Sequence, residues 1–72
     1  MDYKPAYIIF IIRKFAEHYN MTAKQAYLYL KRFSGIAFLD ECYEAEHQQT
    51  IETAIEDLTI VCKNHGGDLQ YA

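Results

Sequence analysis

Apolar residues recur at helical spacing in four separate stretches of the chain, and no stretch sustains the alternation of a strand. On a helical wheel of about 100° per residue, the first stretch, residues 4–19, gathers Ile8, Ile11, Ile12, Phe15 and Tyr19 on one face. The second, 23–33, gathers Ala23, Ala26, Tyr27, Leu30 and Phe33. The third, 36–47, gathers Ile36, Leu39, Cys42 and Tyr43, and the fourth, 51–64, gathers Ile51, Ala54, Ile55, Leu58, Val61 and Cys62. The punctuation between them agrees. Pro5 sits at a helix start, where its missing N–H is harmless, and Asn20 marks a stop. Thr22 with Gln25 three residues on predicts a capping box. Gly35 suits the left-handed position after a helix, Thr50 caps the last helix, and Gly66-Gly67 ends it, leaving a tail over 68–72. Four stripes joined by short connections predict one all-α domain over residues 1–72, a compact four-helix bundle or an irregular four-helix array.

Some residues fall off these stripes. Tyr3, Phe10 and Glu17 are spaced by seven and share the side of the first helix away from its core stripe. Leu28 lies among Lys24, Lys31 and Arg32, and Ile60 lies on the polar side of the fourth helix. Two aromatics aligned on one face mark Tyr3 and Phe10 as contact residues between copies or with a partner. At 51% apolar content, so short a chain has reason to self-associate. Charge divides the chain at Gly35. Residues 1–34 carry a net +4 and residues 35–72 a net −7, giving −3 overall. The acidic half places Asp40, Glu41, Glu44, Glu52 and Glu56 on solvent-facing positions, suited to a protein partner with a basic surface. Opposite charges in the two halves also favour a homodimer or larger homo-oligomer.

Catalytic and metal signatures are weak. Glu44 and His47 have the i, i+3 spacing of carboxylate-bridged di-metal bundles, but such a site needs two pairs and two further glutamates. Cys42, Cys62, His47 and His65 lack the close spacing of a zinc site, and both cysteines fall on core stripes. Asp40, Glu41 and Glu44 would raise the pKa of Cys42, which argues against a thiolate nucleophile. No glycine-rich phosphate loop or nucleophile elbow is present. A helix-turn-helix drawn from the second and third helices would read DNA with Asp40, Glu41, Glu44 and Glu46, which phosphate repels. The run Ala6 to Ile12 is too short to span a bilayer and is followed by no small-residue cleavage site, so a cytoplasmic protein with reduced thiols is expected. Glu46 is the exception in the acidic run. It falls beside Leu39 and Tyr43, where a tyrosine hydroxyl, a helix N-terminus or a basic group could meet it.

Several stretches carry a family resemblance: Phe15-Ala16-Glu17 with Asn20 to Ala26, Ala26 to Leu30, Gly35 to Tyr43, Ala45-Glu46-His47 and Ile55 to Leu58. From about Ile8 to Gly67 the chain resembles the thirty-seven ninety-one family of domains of unknown function. The resemblance implies a small all-helical bacterial protein. It also implies an antitoxin-like or accessory role, since members are often encoded beside larger proteins that look like ADP-ribosyltransferases. It supplies no catalytic residue, and it marks His47 and Asp57 as polar positions to test. The leading expectation is a non-enzymatic protein–protein interaction module without cofactor, contacting partners through Tyr3, Phe10, Asp40, Glu41, Glu44, His47, Glu52 and Glu56. The alternatives are a metal-binding or enzymatic bundle using Glu44, His47 and the cysteines, and nucleic-acid binding through the second helix.

Overall fold

The computed structural model describes residues 3–71, so Ala72, the last residue of the expected tail, lies outside them. The described residues form five helices and no strand: α1 (Lys4–His18), α2 (Ala23–Arg32), α3 (Gly35–Glu41), α4 (Tyr43–Glu46) and α5 (Ile51–Asn64). Three of the four expected helices appear within a residue of their expected bounds. The third is broken in two at Cys42, whose backbone sits at φ −105°, ψ 21°. The Cys42 N–H closes α3 on the Phe38 carbonyl at 2.8 Å, and the Cys42 carbonyl accepts from Glu46 at 2.8 Å to open α4. No proline or glycine announces this break, so the apolar pattern reads straight through it.

Local chemistry explains the other ends. Thr22 Oγ1 accepts from the Gln25 N–H at 3.0 Å while Gln25 Oε1 accepts from the Thr22 N–H at 2.8 Å, completing the capping box. Thr50 Oγ1 accepts from the Thr53 N–H at 3.1 Å. Asn20 takes the left-handed conformation at φ 54°, and Met21 donates back to Ala16 at 2.9 Å, a Schellman closure of α1. Gly66 at φ 103° and the Gly67-to-Cys62 bond of 2.8 Å close α5 in the same way. Gly35 departs from expectation. The left-handed residue after α2 is Ser34, at φ 70°, and Gly35 is the buried first residue of α3. What requires glycine there is space: a Cβ would lie 2.7 Å from Leu30 Cδ2 and 3.2 Å from Cys62 Sγ.

α1 packs against α2, α3 and α5, while α3 also packs against α2 and α5. The core comprises Ile11, Ile12, Phe15, Ala16, Ala26, Leu30, Leu39, Ala54, Ile55, Leu58 and Cys62. The expected stripes hold for α1 and α5, with Ala16 and Thr59 added. Thr59 is tolerated because its hydroxyl donates to the Ile55 carbonyl at 2.9 Å and also meets Tyr19 Oη. On α2 the stripe is rotated. Ala23 and Tyr27 are exposed, and Tyr29 is half-buried in their place. The Tyr29 ring lies 6.0 Å from Phe15 and 4.8 Å from Phe33, and its hydroxyl accepts from the Leu69 N–H at 3.1 Å. No helix among the described residues is long and apolar enough to cross a membrane.

Candidate functional site

The unbroken apolar run Ile8-Ile9-Phe10-Ile11-Ile12 is wider than one helical stripe. Ile11 and Ile12 enter the core, which leaves Ile9 and Phe10 outside it, 54% and 44% exposed. Ile9 faces an open groove of about 470 Å³. Pro5, Ile8, Ile9 and Ile12 of α1, Tyr27 of α2 and Ile36 of α3 line it, with Lys4 and Asp40 at its edge. The rotation of α2 that draws Tyr29 inward leaves Tyr27 42% exposed on this groove. Lys4 Nζ and Asp40 Oδ1 form an ion pair of 3.3 Å between α1 and α3. A smaller groove of about 340 Å³ lies between α3 and α5, lined by Ser34, Ala37, Phe38, Glu41, Val61 and His65.

A second feature is internal. The break at Cys42 is followed by a turn that carries Glu46 inward, leaving it 6% exposed. Among the described residues its Oε1 has no hydrogen-bond partner. Burial first, then a hydrogen bond to Asp57 and the Asp57 charge, push the Glu46 carboxyl from its ordinary 4.5 up to about 7. Among the described residues neither a tyrosine hydroxyl, a helix N-terminus nor a basic group pairs with it; the neighbour is another acid. Tyr7 of α1 shares the cluster. Its hydroxyl is buried without a hydrogen-bond partner among the described residues, and burial, then Glu46, Tyr43 and Asp57, push it up to about 12. The Tyr7 ring stands edge-on to Tyr43 at 5.5 Å and to His47 at 6.4 Å. His47 itself is exposed, stacked on Tyr43 at 4.5 Å, with Nδ1 2.7 Å from the Tyr43 carbonyl oxygen.

The residues expected at a partner surface are all exposed: Tyr3, Phe10, Asp40, Glu41, Glu44, His47, Glu52 and Glu56. They do not form one site. Asp40 edges the larger groove, Glu41 lines the smaller one, and His47 borders the Tyr7 cluster. Phe10 is covered on one side by Lys14 Nζ, 5.6 Å from the ring centre. Of the metal alternative, Glu44 and His47 face solvent while Cys62 is fully buried. Among the described residues no three of His, Cys, Asp and Glu are placed to hold a metal ion. Burial pushes the Cys62 thiol up to about 11, so it packs as a small apolar side chain.

Residues 6–65 match the family model described as a protein of unknown function, DUF3791. The chain belongs to the DUF3791 family. No curated protein and no solved structure matches it. The DUF3791 match encloses most of the groove, from Ile8 to Asp40, and all of the Tyr7, Glu46 and Asp57 cluster; Lys4 and Pro5 precede it. Ile9, Tyr27 and Tyr7 were not singled out from sequence as site residues. The available signal was the width of the run over 8–12, which already implied a second apolar face on α1.

Proposed function

We propose that this DUF3791 chain is a non-enzymatic protein–protein interaction module that engages its partner through the groove of α1, α2 and α3. The observation that carries this reading is the groove's lining: six apolar side chains, among them the exposed Ile9 and Tyr27. A small soluble domain gains nothing in folding from leaving such surface wet, and contiguous exposed apolar surface marks interaction sites. The groove's concave shape suits an inserted element more than a flat contact. An ADP-ribosyltransferase-like protein is the partner class that the family resemblance implies, with this chain antitoxin-like or accessory to it.

The test compares the tagged wild-type chain with Ile9→Asp and Tyr27→Asp variants expressed in the native host. Both positions are exposed, so the variants should fold, with helicity checked by circular dichroism. The wild type should retain one stoichiometric protein that both variants lose. Equal retention by the variants, or a bare wild-type chain under gentle low-salt conditions, would sink the reading.

A further inference from the structure

We infer that the occupant of the α1–α2–α3 groove is an amphipathic helix of a partner protein, apolar on its inserted face and flanked by Asp and Glu. This rests on the groove reading above and adds the chemistry of the ligand. The groove's α1 wall runs from Pro5 to Ile12, seven residues on or about two helical turns. Two turns of a partner helix present anchors at i, i+3 or i+4, and i+7, which suits a trough of this length.

Charge around the groove selects the flanks. Ile9 and Tyr27 line it and are exposed. Lys24 and Lys31 lie three residues before and four after Tyr27, so both share its helix face. The Lys31 ammonium stands 5.9 Å from the Tyr27 ring centre. Arg13 lies four residues after Ile9 and shares its face of α1. Lys24, Lys31 and Arg13 are exposed, and none of them forms an ion pair within the described residues. The nearby acids are already engaged: Asp40 pairs with Lys4 at 3.3 Å, and Glu17 pairs with Lys14 at 3.6 Å. The groove therefore offers an apolar floor with unanswered positive charge on the helices that form it.

The same charges argue against a second copy as occupant. Two such grooves facing each other would bring Arg13, Lys24 and Lys31 of both protomers into one interface, with no unpaired acid on α1 or α2 to offset them. The acidic outer face of α5, with Glu52 and Glu56, offers a single large exposed apolar residue, Ile60, which cannot fill a groove lined by six. An acidic amphipathic helix from another protein answers both the floor and the flanks.

The experiment uses the full chain and two fluorescent helical peptides of about 18 residues, long enough to populate helix in isolation. Both carry leucines at i, i+3, i+4 and i+7; one is flanked by glutamates and the other by lysines. Polarisation at low salt should show the glutamate-flanked peptide binding at least tenfold tighter, with the advantage shrinking in high salt. Ile9→Asp should abolish binding, and the doubly charge-reversed Lys24→Glu, Lys31→Glu variant should reverse the flank preference. Equal affinity for both peptides, or a preference unchanged by the charge reversal, would overturn the acidic-helix inference while leaving the groove as a docking site. Absence of binding by either peptide overturns the inference too, and the native-host comparison with Tyr27→Asp then decides whether the groove reading falls with it. A dimer in sedimentation that Tyr27→Asp dissociates would make a second copy the occupant and also overturn it.

Discussion

Replacing Glu46 by glutamine should remove most of the pH dependence of stability between about pH 4.5 and 8. Glu46 is 6% exposed and its carboxyl is pushed up to about 7 by burial and by Asp57. The groups that act on it are Asp57 of α5 and, through its own coupling to Glu46, Tyr7 of α1. The folded pKa lies above the unfolded value, so near neutrality the native state holds a proton that the unfolded chain has released. Its stability is therefore full below about pH 4.5 and is lost as pH rises through about 7. A shift of this size corresponds to roughly 3 kcal/mol at about 1.4 kcal/mol per unit, and sharing of the proton with Asp57 lowers the net to about 1–3 kcal/mol. A 72-residue domain has only about 4–11 kcal/mol in total, so the effect is a large part of it. Glutamine cannot ionise, and its amide can donate to Asp57 as the protonated acid does. Urea unfolding followed by circular dichroism at several pH values is the assay. With a slope near 1 kcal/mol/M, the wild-type midpoint should fall by about 1–3 M between about pH 4.5 and 8, while Glu46→Gln changes by less than half as much. Parallel profiles for the two proteins would place the titration at another group and overturn this role for Glu46.

Gly35→Ala should destabilise the fold by about 1–3 kcal/mol in urea, because its Cβ would meet Leu30 and Cys62 in a filled core; an unchanged midpoint would show that the core gives way freely. Thr22→Ala should lower stability by about 1 kcal/mol through loss of the α2 capping box, measured in the same way. A thiol reagent should label half-buried Cys42 about 100-fold or more faster than fully buried Cys62, whose thiol is pushed up to about 11, and peptide mapping of the first-labelled site checks this.

How legible the fold was depended on the signal each element carries. α1, α2 and α5 were readable because caps and terminators bracket them: Pro5 and Asn20, Thr22 with Gln25, Thr50 with Gly66. The break at Cys42 was not, since a change of ψ at one ordinary residue leaves no mark in composition. Glu46 was read correctly as pointing inward, yet its partner Asp57 lies eleven residues on, across a loop, and periodicity within one helix cannot report such a meeting. Tyr27 shows the limit most clearly. Its place on the wheel fits the core, but α2 rotates to bury Tyr29, whose hydroxyl finds the Leu69 N–H, and Tyr27 is turned out onto the groove. Competition between two tyrosines for one core is settled by tertiary packing. The charge division, by contrast, was visible at once, and the structure adds that the ion pairs Lys4–Asp40 and Lys14–Glu17 leave Arg13, Lys24 and Lys31 outside any ion pair among the described residues.

Partner contact is proposed to lie in the groove of α1, α2 and α3 and not on the acidic faces of α4 and α5. Site-specific photocrosslinking in the native host separates the two surfaces, with the photoreactive residue placed in turn at Ile9, Tyr27, Glu44 and Glu56, all of them exposed. Ile9 and Tyr27 should give one common adduct, and Glu44 and Glu56 none. An adduct that forms at Glu44 and Glu56 but not at Ile9 or Tyr27 would put the contact on the acidic faces and overturn the groove reading.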